Sequence, residues 1–342
     1  MQRTIFVVDD SSTNLAMAEE ALEKQYRVIT LSSAAKMFSI LKKITPDLIL
    51  LDIEMPGMNG FEAMKILQAA DWYRRIPVIF LTGMSSAENE AYGIELGAVD
   101  FIAKPFSEAV LQNRIKHHLN IDDLIRERTS KLLRLQNSIV FTLADIVESR
   151  DVNTGGHIER TTVYIEILAN AMIERGVYSR EIGAWNLESF ISSARLHDVG
   201  KIAISDTILN KPGALTKEEF ETMKTHPAAG EKIIDQMIER TGDAEFLQYA
   251  KLTAAYHHER WDGSGYPHGL AESKIPLHGR IMSIVDVYDA LTAERPYKKA
   301  FSNDEAIGII KRDTGRHFDP NISNVFLDIN DRIEAARIRL AN

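Results

Sequence analysis

The chain has 342 residues, which exceeds the roughly 250–300 residues over which one hydrophobic core usually extends, so two domains are expected. Its net charge of −9 argues against a polyanion such as DNA as a general partner, because DNA binding depends on basic surface. The chain contains no cysteine, which excludes disulfides and thiolate metal sites and leaves imidazole and carboxylate as the available metal ligands.

Neither a secretory signal nor a membrane span is predicted. The apolar run near the amino terminus, Thr4 to Val8, is short and is followed by two aspartates, whereas a secretory signal needs about 7–15 apolar residues. No stretch approaches the ~18 apolar residues of a membrane span. The expected location is therefore the cytoplasm.

The first part of the chain alternates short apolar runs with helix-period stretches such as Asn14 to Gln25 and Phe61 to Ala70. This alternation predicts an α/β domain with a parallel sheet, a (βα)5 arrangement over residues 1–120. The predicted strands are Thr4–Val8, Tyr26–Leu31, Asp47–Leu51, Pro77–Leu81 and Asp100–Ala103.

A long helix is predicted from Ile121 to Ser149, where the chain has no Gly or Pro. Residues 121–146 of it form the predicted linker to a second domain, 147–342, whose pattern is helical. Seven positions on this helix, five of them apolar, follow one another in alternating steps of three and four residues. This spacing is typical of a two-stranded coiled coil and predicts a homodimer. Packing of the helix against its own domain is the alternative. The seam positions are Ile125, Arg128, Leu132, Leu135, Ile139, Thr142 and Ile146, of which Arg128 and Thr142 weaken the pattern.

Polar residues follow the predicted strands of the first domain. Asp9 and Asp10 follow the first strand, Asp52 the third, Thr82 the fourth and Lys104 the fifth. Because the carboxyl ends of parallel strands share one edge of a sheet, these side chains should converge. Three carboxylates together need a cation, and oxygen ligands suit Mg²⁺. An aspartate there can accept a phosphoryl group, whose oxygens a hydroxyl and an ammonium would bind.

Together with "DIEMPGMNG" from Asp52 onward, this region resembles the receiver domain of bacterial response regulators over its full length. The resemblance implies that a sensor histidine kinase phosphorylates Asp52. It also implies a Mg²⁺ site made by Asp9, Asp10, Asp52 and the backbone carbonyl of Glu54.

The same resemblance assigns the switch positions to Thr82, Lys104 and the aromatic Phe101. Gly83 departs from the family, which often has Ala there, and a more mobile loop is one consequence.

The second domain is rich in histidines beside carboxylates. "HHERWDGSGYP", from His257 to Pro267, places adjacent imidazoles before a glycine-rich loop, and "RDVNTGGH", "ARLHDVGK", "KTHP" and "IVDVYDAL" supply further candidates. Neighbouring residues on a helix point about 100° apart, so Asp198 can serve a second ion or bridge two. Two ions can share a hydroxide and clamp a phosphodiester for in-line displacement. The candidate metal ligands are His157, His197, Asp198, His226, His257, His258 and Asp286.

The strings "HDVGK", "ILNKPGALT", "HHERWDGSGYPHGL" and "DVYDALTAERPYK" resemble, in this order, the HD-GYP family of metal-dependent phosphodiesterases, over about residues 139–326. The resemblance implies an all-α HD-type fold and hydrolysis of cyclic di-GMP to pGpG, with further cleavage to GMP as an alternative end point. It carries metal ligation onto the seven candidates. Because imidazole dominates, iron or manganese is favoured over magnesium, with zinc and nickel as alternatives.

The resemblance also places Lys201 near the phosphate and Gly265, Tyr266 and Pro267 near the substrate, and Asp198 or Lys201 would assist departure of the 3′ oxygen. If a helix continues past Asp198, Lys201 lies one turn on and aims at the same pocket. If the helix ends at Gly200, Lys201 lies on a loop instead.

Two further positions bear on the site. Arg295 in "AERPYK" is a candidate guanine or phosphate contact, with a surface salt bridge as the alternative. Some family members have a carboxylate four residues before the first histidine, where this chain has Asn153, so we expect two metals rather than three. The histidines at 117, 118, 268, 278 and 317 lack such contexts and are predicted to be structural.

The sequence thus predicts a two-component response regulator that hydrolyses cyclic di-GMP under the control of Asp52. Cyclic GMP-AMP is the alternative substrate. A catalytically weak domain that binds a nucleotide or a partner protein is the other alternative, and it would be marked by lost metal ligands, none of which is missing. A DNA-binding regulator would need a basic recognition helix.

Overall fold

The computed structural model describes residues 2–70, 72–83, 87–150, 156–242, 245–294 and 299–341. The chain divides into two compact units, Met1–Leu132 and Leu133–Asn342. Within the described residues, none of the helices has both the length and the apolar character that crossing a bilayer requires.

The first unit contains a five-stranded parallel sheet in the order β2-β1-β3-β4-β5, which confirms the predicted α/β fold. In the strand Thr4–Val8, which lies beside the central strand, Ile5 pairs with Val28 on one side and with Leu48 on the other. The strands are β1 Thr4–Val8, β2 Arg27–Leu31, β3 Leu48–Asp52, β4 Val78–Thr82 and β5 Asp100–Ala103.

Helices cover both faces of this sheet, because alternate side chains of each strand point to opposite sides. Ile5 and Val7 face a core shared with α1 (Ser12–Leu22) and α5 (Glu108–Arg150), whereas Phe6 and Val8 face a core shared with α2 (Ala34–Leu41) and α3 (Gly60–Ala69). Helix α4 spans Ala87–Glu95.

Helix α5 is one continuous helix of 43 residues. It contains the predicted helix from Ile121 onward but begins earlier, at Glu108, because no Gly or Pro separates the two stretches. The helix passes through both predicted linker boundaries, 120 and 146, so those limits remain predictions. Its first turns pack on the sheet through Leu111 and Ile115. Near its end, Val140 and Val147 are buried within the second unit.

The second unit is helical, as predicted, with two isolated β-bridges, Asp262 to Ala271 and Thr314 to Phe318. Its main core joins α6 to α13 and α15. Short 3-10 helices span Ala194–Leu196, Val199–Ala203 and Glu272–Lys274. The α-helices are α6 His157–Glu174, α7 Ser179–Ile182, α8 Leu187–Ser193, α9 Asp206–Leu209, α10 Lys217–Met223, α11 His226–Thr241, α12 Glu245–Tyr256, α13 Leu277–Thr292, α14 Asn303–Asp313, α15 Pro320–Asp328 and α16 Asn330–Ala341.

Gly200 permits a close approach of backbone segments that positions the histidines. A Cβ atom on Gly200 would lie 1.9 Å from the carbonyl oxygen of His226 and 2.4 Å from the amide nitrogen of Gly230. Only glycine fits at this distance. The 3-10 helix Val199–Ala203 therefore lies directly against α11, which brings the residues just before it next to His226.

Candidate metal centre and phospho-acceptor site

The acidic cluster of the first unit lies at the carboxyl end of the sheet. Asp9 follows β1, Asp52 ends β3 and Thr82 ends β4, and all three are buried, whereas Asp10 is exposed. Carboxylate oxygens of Asp9, Asp10 and Asp52 lie within 4.8 Å of one another. The parallel strand order thus brings together the residues that the sequence places at strand ends, in a geometry that oxygen-liganded cations favour.

Lys104 is the cationic partner of this cluster. Its Nζ lies 2.7 Å from Asp9 Oδ2 and 2.7 Å from Asp52 Oδ1. Burial raises the pKa of Asp52, and the Lys104 ammonium offsets that rise only in part. Burial would lower the pKa of Lys104, but its hydrogen bonds to Asp52 and Asp9 outweigh burial and raise it. The amide of Glu54 donates to Asp52 Oδ1 at 3.4 Å, which places the segment after the strand beside the carboxylate.

Sequence reasoning missed Asn14, which orients Asp9. The Asn14 side-chain amide donates to both carboxylate oxygens of Asp9 at 3.1 Å, and the backbone amide of Ser11 donates to Oδ1 at 2.8 Å. The signal was available, because an Asn in the first turn of the helix after β1 can reach back to the strand end. Phe101 lies on β5 with its ring 5.5 Å from that of Phe80, and its switch role remains a prediction.

In the second unit six of the seven candidate metal ligands form two triads. The first triad is His157, His197 and Asp198, and the second is His226, His257 and His258. Within each triad the potential ligand atoms lie within 4.8 Å of one another. His157 and His226 are the first residues of α6 and α11, and the pair His257–His258 follows the end of α12.

Backbone carbonyls fix the tautomers of three of these histidines. A ring nitrogen that approaches a carbonyl oxygen must carry the proton, so Nδ1 is the donor and Nε2 presents a lone pair. The Nδ1 contacts are His197 to Ala194 O at 3.1 Å, His226 to Met223 O at 2.8 Å and His257 to Ala254 O at 2.9 Å.

The Nε2 atoms then face one another in pairs. Those of His157 and His197 are 3.3 Å apart, and those of His226 and His257 are also 3.3 Å apart. Two lone pairs at this distance repel unless a cation lies between them. The donor set therefore fits divalent metal ions, since buried imidazoles with free Nε2 atoms are their usual ligands.

Asp198 lies between the two triads. Its Oδ2 is 3.4 Å from His197 Nε2 in the first triad, and its Oδ1 is 3.3 Å from His226 Nε2 in the second. The carboxylate thus presents one oxygen to each group, the arrangement of a bridging ligand. Asp286 Oδ1 adds a further carboxylate 3.5 Å from His157 Nε2.

The prediction of a regular helix around these pairs is wrong in detail. His197 and Asp198 lie in a turn between two 3-10 helices, and His257 and His258 lie in a turn after α12. The packing of Gly200 against α11 explains the first case, because it requires a tighter backbone path than an α-helix gives.

Metal binding needs deprotonated ligands, and the pKa values of His257, His258 and Asp198 are shifted in that direction. Burial and neighbouring histidines lower the pKa of His257 and hold that of His258 well below its ordinary value. Burial alone would raise the pKa of Asp198, but Lys201 and His197 outweigh burial and hold this pKa well below its ordinary value. His157 differs: burial would lower its pKa, but its hydrogen bond to Asp289 and the nearby carboxylates outweigh burial and raise it.

Lys201 and the glycine-rich loop adjoin the triads. Lys201 lies on the 3-10 helix Val199–Ala203, and its Nζ is 2.7 Å from Asp198 Oδ2, so it does aim at the same pocket. The Tyr266 ring stacks on the His258 ring at 4.9 Å. A Cβ on Gly265 would lie 2.3 Å from the Arg260 amide nitrogen, so the loop before Tyr266 passes close to the segment after His258.

Sequence reasoning also missed two residues behind the first triad. Asp289 Oδ2 accepts from His157 Nδ1 at 2.7 Å, and Arg160 Nε donates to the other Asp289 oxygen at 2.6 Å. This bond fixes the His157 tautomer as the backbone carbonyls fix the others. Asp289 lies one turn after Asp286 on α13, and that spacing was the available signal.

Sequence reasoning also missed Glu259, because its hydrogen-bond partners lie about ten residues further along the chain. Its side chain is buried, and its carboxylate accepts hydrogen bonds from three backbone amides of the segment after Pro267. These donors are His268 at 2.7 Å, Gly269 at 3.1 Å and Leu270 at 3.0 Å. Glu259 thus ties the residue after His258 to the far end of the glycine-rich loop.

The remaining predicted residues lie apart from the triads or outside the described ranges. His118 contacts Asp100 at 2.9 Å, and His278 stacks on Trp185 at 4.0 Å. Asn153 and Arg295 are both outside the described residues.

Comparison with known proteins identifies the class. Residues 5–116 match the response regulator receiver domain, and residues 142–322 match the HD domain. A probable cyclic di-GMP phosphodiesterase of Vibrio cholerae is 40% identical, over 95% of this chain and 77% of that protein. The cyclic di-GMP phosphodiesterase response regulator RpfG of Xanthomonas campestris is 33% identical, over 94% of this chain and 86% of that protein. The chain belongs to the family of response regulators that join a receiver domain to an HD domain.

The name of a third relative, which matches over a shorter stretch, gives a different substrate. The 3′3′-cGAMP-specific phosphodiesterase 2 of Vibrio cholerae is 38% identical over 61% of this chain and 38% of that protein. This match covers a smaller share of both chains than the other two do.

Proposed function

We propose that this response regulator hydrolyses cyclic di-GMP to pGpG in its HD domain, and that phosphorylation of Asp52 controls the reaction. The observation that carries the proposal is the pair of triads joined by Asp198. The names of the two relatives that span most of the chain support the choice of substrate.

In this proposal His157, His197, Asp198 and Asp286 hold one divalent ion, and Asp198, His226, His257 and His258 hold the other. When bound by these residues, two such ions would supply Lewis-acid stabilisation of the phosphate charge and a water of lowered pKa for in-line displacement. Iron or manganese fits best, because imidazoles outnumber carboxylates. Two ions rather than three are expected, since the neutral amide of Asn153 is a poor ligand for a further cation.

The chain's own side chains have three tasks around these ions. Asp198 orients both halves of the site through its two oxygens. Lys201 holds a proton 2.7 Å from Asp198, where it can bind the phosphate or protonate the departing 3′ oxygen. Tyr266, whose ring stacks on His258, holds the loop against the site and offers a surface for a guanine base.

The receiver domain would bind Mg²⁺ through Asp9, Asp10, Asp52 and the carbonyl of Glu54. Asp52 would accept the phosphoryl group from a sensor histidine kinase, and Thr82 and Lys104 would bind its oxygens. The present contact of Lys104 with Asp52 supports this role, because the ammonium already lies where the new negative charge would form.

The activity is tested by offering the purified, metal-loaded protein a panel of cyclic di-GMP, 3′3′-cGAMP and cyclic di-AMP. We expect the highest kcat/KM for cyclic di-GMP, transient accumulation of pGpG and two ions per chain by elemental analysis. A higher kcat/KM for 3′3′-cGAMP would assign the alternative substrate that the third relative suggests. A protein that holds two ions but cleaves none of the three would be a binding domain.

We further propose a homodimer formed along α5. The five apolar seam residues expose half or more of their surface in the single chain, from 50% at Ile139 and Ile146 to 66% at Leu132. Meanwhile Val140, Ala144 and Val147, on an adjacent face of the helix about 100° from the seam, are buried within the second unit. The helix therefore packs on its own domain with one face and leaves the coiled-coil stripe open for a second copy.

Changing Leu132 and Leu135 together to Glu should convert the dimer to a monomer, because it would bury unpaired charges in the seam. Light scattering would measure the mass. Leu133→Glu is the matched control, since Leu133 is equally exposed but lies off the seam, and this variant should stay dimeric. Equal masses for the wild type and the double variant would argue against this interface.

A further inference from the structure

The last turn of α5 contacts the segments that carry the first triad and Lys201. Glu148 Oε1 accepts a hydrogen bond from the backbone amide of His157 at 2.9 Å. Arg150 donates to the carbonyl oxygens of Ile202 and Ile204, at 3.1 Å each. These contacts join α5 to α6 and to the chain segment just after Lys201 without depending on the connecting residues 151–155.

Glu148 provides the amino-terminal cap that the residue before α6 does not provide. The residue before the helix, Gly156, has no side chain and makes no capping hydrogen bond. The first amides of a helix need an acceptor, and an anion there also interacts favourably with the helix dipole. Glu148 supplies both from another helix, nine residues earlier in the chain.

The contact lies on a metal-ligand residue itself. His157 is the first residue of α6, so the acceptor of its amide fixes where the backbone of this ligand lies. Its ring is held separately, through Nδ1, by Asp289. Two carboxylates, one on α5 and one on α13, thus determine the position of one imidazole.

We propose that Glu148 is a positioning residue that holds His157 in the first triad, so that metal occupancy of this triad depends on the last turn of α5. The proposal rests on the assignment of the triads as metal ligands under the proposed function. It adds a point at which the helix that begins in the receiver domain acts on the metal centre. The second triad has its ligands on α11 and after α12, and should be less affected.

The test is metal binding to the full-length protein, measured by Mn²⁺ titration and by elemental analysis after dialysis. Glu148→Ala should weaken the binding of one of the two ions by about 10–100-fold and leave the other unchanged. Glu148→Gln should restore most of the lost affinity, because its amide oxygen can still accept from the His157 amide. Asp145→Ala, which removes an exposed carboxylate one turn earlier on α5, is the matched control and should bind as the wild type does.

If Glu148→Ala does not fold, Glu148→Asp provides the test, since it keeps the charge but withdraws the carboxylate by one methylene and should lose the same ion. Binding of both ions with wild-type affinity by the folded Ala or Asp variant would overturn the proposal. Equal weakening of both ions, with no rescue by Gln, would also overturn it, because that pattern indicates a general structural defect.

The outcome is separable from that of the proposed function. Metal titration needs no nucleotide, so a wild-type protein that binds two ions but does not cleave cyclic di-GMP would refute the substrate and leave the Glu148 comparison valid. A wild type that binds no metal would refute both.

Discussion

Asp198→Ala should lower the rate of cyclic di-GMP hydrolysis by at least ~100-fold, because changes to residues that merely support metal ligands already cost 10–100-fold. Asp198 presents one oxygen to each triad, so its loss should weaken both ions rather than one. It should also leave Lys201 without its carboxylate partner at 2.7 Å. Initial rates and metal content per chain would measure both effects.

Two further variants isolate the role of this carboxylate. Asp198→Asn keeps the shape of the side chain and removes its charge, so it should resemble the alanine variant if charge is what the ions need. Asp331→Ala removes an exposed carboxylate from the first turn of α16 and should keep wild-type activity. Two tightly held ions and a normal rate in Asp198→Ala would contradict the bridging assignment.

Asp52→Asn should abolish stable phosphorylation of the receiver by acetyl phosphate in Mg²⁺, because an amide is not a phosphoryl acceptor. Lys104 contacts both Asp52 and Asp9 at 2.7 Å. The substitution removes the Asp52 charge, so the ammonium would keep only its ion pair with Asp9. Intact-protein mass spectrometry would detect the transferred group.

A matched control is Asp100→Asn, which changes the first residue of β5. Asp100 lies at the amino end of its strand, away from the carboxyl ends where the acidic cluster lies, and it pairs with Arg114 and His118. This variant should be labelled as the wild type is. Persistent one-to-one labelling of Asp52→Asn would place the acceptor on another residue.

Much of the first unit was predictable because its information is local. Each strand is an apolar run bounded by polar residues, and a parallel sheet brings the strand ends together whatever the details of packing. Asp9, Asp52 and Lys104 therefore converge as expected. The helix that begins at Glu108 was placed too late, since periodicity shows that a segment is helical but does not mark where a helix without a break begins.

The spacing of Asp289 from Asp286 places both on one face of α13, but it could not show which histidine Asp289 contacts, because that contact depends on tertiary packing. His157 and Asp289 are 132 positions apart and meet only when α6 lies on α13. Glu148 caps a helix that it does not precede directly. The turn around Asp198 follows from the contact of Gly200 with α11, and local propensity contains no information on such a neighbour.

The continuity of α5 makes its angular phase the property that an insertion within the helix would change. Each residue of an α-helix advances the backbone by about 100°, so one inserted residue would turn everything beyond it by more than a quarter of a revolution. Seven inserted residues would nearly restore the original orientation. A recombination that joins a different sensory module to this output domain should therefore preserve the phase of the helix mainly when the helix gains or loses a multiple of seven residues. The length of the module itself does not matter.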